Sequence, residues 1–357
     1  MTGRGVDQIM RHPSNPLLHE RVAKSALRYV ELAKKKSGPI PRGVAPDYIW
    51  GDVLAELDRL RPDARIVNLE TAVTTSDAYW IGKTIHYRMH PANIGCLTAA
   101  RIDCCTLANN HVLDWAYVGL RETIASLRAA GIKTAGAGDT LAEARKPAVI
   151  TLPSGQRVLV VAYGSQTSGV PNGWAATNLV GGINGLNESD PGAVGRVADA
   201  VNEVKRPGDL VVVSIHWGTN WGYEVTSEQR QLARGLIDEA GVDLVYGHSS
   251  HHPRPIEVYR GKLVLYGCGD FINDYEGISG HDTYRPELGF MYVPTLAADG
   301  GRLLRLVLVP TRIEKLRVNR ARAADVEWLA EMLNREGRSF GTRVQRSSEG
   351  YLELNWT

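Results

Sequence analysis

Two kinds of apolar pattern alternate along the chain. Residues 64–69 and 103–108 are short runs rich in β-branched and small apolar side chains, and each predicts a strand. Leu120, Ile124 and Leu127 then recur at helical spacing ahead of Gly131, which predicts a helix over 119–130. Residues 157–162 and 209–215 are almost wholly apolar, as expected of strands covered on both faces of a central sheet. Residues 192–205 between them read as a crossover helix. Ser227 and Gly241 bracket a one-faced helix carrying Leu232, Leu236 and Ile237, and residues 242–246 return to strand.

From residue 256 the pattern changes to strands in close succession, over 256–259, 263–266, 290–293 and 304–310, whose spacing predicts hairpins. Val326, Leu329 and Leu333 mark a last amphipathic helix over 325–336, and a small hairpin is expected around 347–350. Strands with helical crossovers followed by antiparallel strands predict an α/β fold of two sheets packed face to face with helices outside. No Pro, Gly or Ser linker divides the chain. The expected organisation is one domain over 1–315, with the helix and hairpin of 316–357 packed on it.

Composition narrows the function classes. The 41 Lys and Arg against 39 Asp and Glu leave a charge of +2, and no basic stripe with interleaved aromatics is present. A nucleic-acid partner is therefore not expected. The four cysteines, Cys96, Cys104, Cys105 and Cys268, have neither metal-site nor secreted-scaffold spacing and read as buried apolar residues in a reducing compartment. No run approaches the roughly 18 apolar residues of a membrane span, and the N-terminus lacks a hydrophobic signal core. As written, the chain is expected to be cytoplasmic.

Chemistry-bearing residues collect just after the apolar runs: Glu70, then Asn109-Asn110-His111, then His216, then His248 and His251. Strand ends on an α/β sheet are where loops converge to build a site. Four such ends carrying carboxylate, carboxamide and imidazole, with no thiolate, predict a hydrolytic centre for Mn²⁺, Fe²⁺ or Zn²⁺. His111, beside Asn110, is placed to act as general acid at its rim. Asp114 either orients that imidazole or caps the helix that begins near Trp115.

These residues resemble the CapA-like family of poly-γ-glutamate capsule biosynthesis, a branch of the calcineurin-like metallophosphoesterase superfamily. The resemblance rests on Asn68-Leu69-Glu70, on residues 108–114, on 131–138 followed by Glu143-Ala144, on His216-Trp217-Gly218 and on residues 247–251. Residues 266–271 look like the family's Gly-Asn-Phe element with Asp270 in place of Asn. It spans roughly residues 1–275 and implies a four-layer α/β/β/α sandwich of two mixed sheets with metals at their edge. It also implies that Glu70 bridges two metals, that Asn110, His216 and His248 complete one site, that His251 serves the other, and that His111 protonates the leaving group. The family opens with a strand ending in a Gly-Asp-Val-Met-like motif whose Asp is a ligand, whereas this chain starts at Met1-Thr-Gly-Arg4. The expectation is a truncated first strand and one metal site better furnished than its neighbour.

Lys83, Tyr87 and Arg88 are expected in a loop overhanging the metals, where Arg88 either grips an anionic substrate or belongs to a solvated surface; Arg254 is a second such candidate. Two functions are expected. One is a metal-dependent hydrolase acting on a phosphoester or a γ-glutamyl amide of an anionic polymer. The other is a non-catalytic, metal-stabilised binding component of a polymer synthesis or export assembly, with membrane-associated partners.

Overall fold

The computed structural model describes residues 1–357. Its main sheet has seven strands. In order across the sheet these are Gly185–Leu186, Arg157–Ser165, Leu210–His216, Leu244–His248, Lys262–Leu265 and Ile256–Tyr259, with Ala148–Thr151 antiparallel beside Arg157–Ser165. The four middle strands run parallel. A second sheet of three short parallel strands contains Ile66–Asn68, Cys104–Thr106 and Lys133–Ala135.

The near-continuous apolar runs follow from what covers the main sheet. Val158, Val160, Ala162, Val212 and Leu244 face the large core that also holds Cys104 and Ala135 of the three-stranded sheet and Leu107 just beyond it. The alternate residues Leu159, Val161, Val211, Val213, Ile215 and Val245 pack under the helices Ala193–Asn202 and Ser227–Asp238. Both faces are removed from water, so neither offers a place for alternating polar residues. The Ser227–Asp238 helix is capped one residue earlier than its sequence suggests. The Thr226 hydroxyl accepts from the backbone N–H of Gln229, and the Gln229 side chain accepts from that of Thr226. Such a reciprocal cap is worth about 1 kcal/mol.

Two expectations change. The strands fall into three larger sheets rather than two, because Leu288–Leu296, Leu303–Ile313, Val318–Arg320, Thr342–Arg346 and Leu352–Trp356 form a separate antiparallel sheet of five. The three-stranded sheet is purely parallel rather than mixed. The first 63 residues, in which no element is predicted, contain the helices Leu27–Ser37 and Val53–Leu60. The first buries only Tyr29, Val30 and Ala33 and exposes Lys34, Lys35 and Lys36, so its apolar stripe is too narrow to read. The Ile66–Asn68 strand pairs on one side only, and its residues are half-buried.

All four cysteines are free; Cys96, Cys104 and Cys105 are buried as expected, whereas Cys268 is only half-buried. Burial pushes the thiols of Cys96, Cys104 and Cys268 up to about 12 and that of Cys105 well above its ordinary value. No helix is long and apolar enough to cross a membrane.

The helix Ala323–Glu336 is tied to the five-stranded sheet through Asp325, which meets Arg285 at 2.5 Å and Arg312 at 3.1 Å. Burial pushes the Asp325 carboxyl up, but the two guanidinium groups outweigh it and hold it below the ordinary aspartate value. A depressed folded value contributes stability above the unfolded pKa, about 3.9, and that stability is lost as pH falls through the folded value. Asp325→Asn is thus expected to lower the thermal midpoint at neutral pH by a few degrees, about 1–2 kcal/mol. The gap from the parent protein should close on acidification below the usual aspartate range, read by a thermal melt at each pH.

Candidate functional site

The two parallel sheets end at the same place, and the predicted residues meet there. His216 and His248 are the last registered pair of adjacent parallel strands, so their side chains leave the sheet side by side on one face. Asn68 and Thr106 are the last pair of the small sheet, with Glu70 and Asn109 to His111 directly beyond. The sheets are joined at this end by Thr106, whose hydroxyl lies 3.0 Å from Ser214 Oγ and 3.2 Å from the Tyr246 hydroxyl. Gly164 stands in register with His216, and a Cβ there would come within 2.9 Å of the Ala108 carbonyl. Only glycine lets the two sheet ends close this far.

Three groups of side chains meet at these joined ends. In the first, Glu70 is buried, and its Oε2 accepts from Asn68 Nδ2 at 3.2 Å. Glu70 Oε1 lies 3.9 Å from His216 Nε2 and 4.0 Å from His111 Nε2, while His216 Nε2 is 3.2 Å from Asn110 Oδ1. Burial pushes the Glu70 carboxyl up to about 7, partly opposed by the positive charge of His251. His216 and His248 join through their Nδ1 atoms at 2.7 Å, and His248 Nε2 meets Ser214 Oγ at 2.7 Å. Burial holds His216 well below its ordinary value and His248 at about 3, so both are neutral.

The second group centres on His251, whose Nδ1 lies 3.1 Å from both oxygens of Asp270 and whose Nε2 lies 3.2 Å from the Tyr275 hydroxyl. Burial alone would discharge both ends of this pair. Their contact reverses it, raising His251 and lowering Asp270, so they stand as imidazolium and carboxylate. Asn273 Nδ2 donates to Asp270 at 2.7 Å.

The third group is His111, Asp114 and Lys83. His111 Nδ1 is 2.6 Å from Asp114 Oδ2, and Lys83 Nζ is 2.6 Å from Asp114 Oδ1 and 2.9 Å from His111 Nδ1. The carboxylate can only accept, so we assign the proton to Nδ1, leaving Nε2 turned to Glu70. Asp114 also accepts from the backbone N–H of Tyr87, and the helix that follows, Ala116–Ala129, has no side-chain cap. Of its two sequence readings, orienting His111 is the one the contacts support. Asn109, to which the sequence assigns no separate role, fixes this loop by donating to Asn68 Oδ1 and the Leu69 carbonyl while accepting from His111 N–H.

The donors fit a divalent ion in part. Ligands about 2.1 Å from one ion lie roughly 3.0–3.4 Å from each other. Asn110 and His216 have that spacing and Glu70 Oε1 stands slightly beyond it. Oxygen and neutral imidazole donors around a carboxylate with little compensation suit such a cation. No three His, Cys, Asp or Glu side chains are arranged to hold one ion, because His248 is turned onto His216 and His251 onto Asp270.

The expected substrate contacts are arranged otherwise than in an overhanging loop. Arg88 is buried, with its guanidinium committed to the Ser76 and Asn15 carbonyls and to Asp77 and stacked 3.8 Å from the Trp115 ring. Tyr87 packs edge-on to His111, and Lys83 belongs to the His111 group. Arg254 is buried and turned to Gln229 at 3.4 Å, with burial bringing its guanidinium down to about 10. Arg4 was overlooked. It makes a two-pronged pair with Asp274 at 2.8 and 2.6 Å and lies 4.4 Å from the Tyr87 ring. Asp270 had a sequence signal, its place in the 266–271 element. Tyr275 had none, since an isolated tyrosine in a loop carries no pattern.

Residues 1–275 match the family described as bacterial capsule synthesis protein PGA_cap. The chain belongs to that family. It is 44% identical over 355 residues to a probable polyglutamine synthesis accessory protein of Mycobacterium tuberculosis, covering 99% of this chain and 93% of the relative. It is also similar to the PGA biosynthesis protein CapA of Bacillus subtilis, 29% identical over 275 residues, covering 77% of this chain and 61% of the relative. The capsule biosynthesis protein CapA of Bacillus anthracis is 28% identical over 192 residues, 54% of this chain and 45% of that one. Within this PGA_cap chain the buried guanidinium of Arg88 is structural. Arg88→Ala is expected to cost about 2–4 kcal/mol, from several charge-assisted hydrogen bonds and the indole contact. Denaturant melts should show the loss, while the affinity for an anionic ligand stays unchanged.

Proposed function

We propose that this PGA_cap chain is a metal-dependent hydrolase acting on a phosphoester or γ-glutamyl amide during the making of an anionic capsule-type polymer. The observation that carries the reading is the meeting of Glu70 Oε1, Asn110 Oδ1 and His216 Nε2 at the joined sheet ends, with His111 Nε2 facing the same carboxylate oxygen. In this reading the three-stranded and seven-stranded sheets are the inner layers of a four-layer α/β/β/α sandwich. Ala116–Ala129 lies on one side, with Ala193–Asn202 and Ser227–Asp238 on the other.

Glu70, Asn110 and His216 would hold a Mn²⁺, Fe²⁺ or Zn²⁺ ion, joined by His248 after a ring rotation. His251 and Asp270 would serve a second, weaker position. Lewis acidity toward the attacked phosphoryl or carbonyl group is what the ion supplies when bound. The remaining work falls to the chain. Burial holds His111 well below its ordinary value, so its ring starts neutral with Nδ1–H held by Asp114. Nε2 would take up the proton released by the attacking water. Asp114, its charge balanced by Lys83, would stabilise the imidazolium so formed, and the same proton would pass to the leaving group. Buried walls on both sides keep bulk water from competing.

A second reading, a metal-stabilised binding component of a polymer assembly with membrane-associated partners, is favoured by one feature. His248 is committed to His216 and His251 to Asp270, which leaves fewer free ligands for a two-metal catalytic centre than for a single stabilising ion.

Metal uptake and turnover test both. With Mn²⁺ added, the protein should take up one ion tightly, and Glu70→Gln or His216→Asn should abolish this by elemental analysis. Hydrolysis of an aryl phosphate or of γ-linked glutamate oligomers should fall about 10²- to 10⁴-fold in His111→Ala with uptake retained. Full turnover in His111→Ala would remove the proton-transfer role of His111, whereas no turnover in the wild type, with polymer production that needs Glu70 and His216 but not His111, would replace the hydrolase with the binding component.

A further inference from the structure

The helix Leu27–Ser37 ends in Lys34, Lys35 and Lys36, all exposed. Cations at a helix C-terminus complement its dipole, which is reason enough for one or two of them. It does not explain why a second basic element, from the far end of the chain, is placed beside them. The strands Leu303–Ile313 and Val318–Arg320 are joined by a tight hairpin whose tip is Lys315-Leu316, both in the left-handed region at φ 61° and 54°. Such turns favour Asn-Gly, and side chains with a Cβ at both positions store strain. The strain is held by one buried carboxylate: Glu276 accepts from the backbone N–H groups of Lys315 at 3.0 Å and Leu316 at 2.9 Å. The same carboxylate accepts from the Ser37 hydroxyl, which brings the end of the lysine-bearing helix against the hairpin tip.

Charge accumulates at this junction. Lys34, Lys35, Lys36, Lys315 and Arg317 have no carboxylate within 4.0 Å. Beside the tip, a groove of about 280 Å³ is lined by seven polar residues and no apolar one, Arg320 and Arg322 among them. Those two are neutralised by Glu56 and Glu314, and Glu31 stands one turn before the lysines. The excess therefore belongs to the five unpaired cations. The surface also adjoins the candidate centre. Tyr275, whose hydroxyl meets His251, and Glu276, which pins the tip, are consecutive, with Cα atoms about 3.8 Å apart.

We propose that the surface built from Lys34, Lys35, Lys36, Lys315 and Arg317 binds a chain bearing one carboxylate per repeat, and so selects polyglutamate over the uncharged polyglutamine. This deepens the hydrolase reading and rests on it only for the polymer class. Several weak contacts to one flexible chain add as linked sites, each displacing a counterion, so binding is salt-dependent.

The test uses the full chain and fluorescein-labelled poly-γ-glutamate, read by anisotropy at about 50 and 200 mM salt. Wild-type affinity should fall with salt. The variant K34Q/K35Q/K36Q/K315N/R317Q should bind at least about tenfold more weakly at low salt. K34Q/K35Q/K36Q and K315N/R317Q, made separately, should each fall between, and they keep the test valid if the fivefold variant misfolds. Polyglutamine should not bind. Equal affinity in all variants, equal binding of polyglutamine, or capture only by phosphatidylglycerol vesicles through the same cations would each overturn the proposal. Aryl phosphate hydrolysis in Mn²⁺, measured on the same preparations, should be unchanged in these variants. Its absence from wild type would count against the hydrolase and not against the surface.

Discussion

A carboxylate taken out of water must find positive charge or hydrogen-bond donors, and Glu70 finds few. A single carboxamide donates to it at 3.2 Å, and two imidazoles stand near 4 Å. Much of the surrounding structure can be read as what is needed to tolerate it there. Parallel strands of two sheets must end level, Thr106 and Ser214 must bridge them, and Gly164 must lack a side chain for the ends to close. The neutral state of His216 and His248 follows from the same enclosure. Burial that makes the carboxylate costly also strips these rings of protons and leaves them as donors of electron pairs.

The neighbouring charges are arranged in compensated sets rather than left alone. His251 with Asp270, Lys83 with Asp114 and Arg4 with Asp274 each place opposite charges within 3.1 Å or less. Replacing one member of such a buried pair leaves an uncompensated charge, which is why these contacts are more rigid constraints than the exposed ion pairs elsewhere. Glu70 differs from all of them, and that difference, more than the number of histidines nearby, singles out its side of the site.

How far the site could be read from the chain depended on pattern. Glu70, Asn110, His216 and His248 each follow or end an apolar run, and the position of a strand end is legible even when its length is off by two residues. His248, expected just past its strand, is the last residue within it. Asp270, Tyr275 and Arg4 sit in irregular segments, where no period reveals which way a side chain turns. Arg88 shows the opposite failure. A dense polar run between two site motifs suggests a surface loop, but backbone carbonyls from residues 15 and 76 create an inward demand for donors that sequence spacing does not display. The five-stranded sheet was missed as a separate unit for a related reason. Hairpin signals give local pairing, and which sheet a hairpin joins is settled by long-range packing.

The four free thiols have a practical side. With the ionisation of Cys96, Cys104 and Cys268 pushed up to about 12 and that of Cys105 well above its ordinary value, little thiolate is present in mildly alkaline solution, and alkylating reagents are expected to react slowly with the native protein. Cys96, Cys104 and Cys105 lie in the shared core, whereas Cys268 lies two residues before Asp270. The order in which they become modifiable would record whether the joined sheet ends or the core opens first, without any added label.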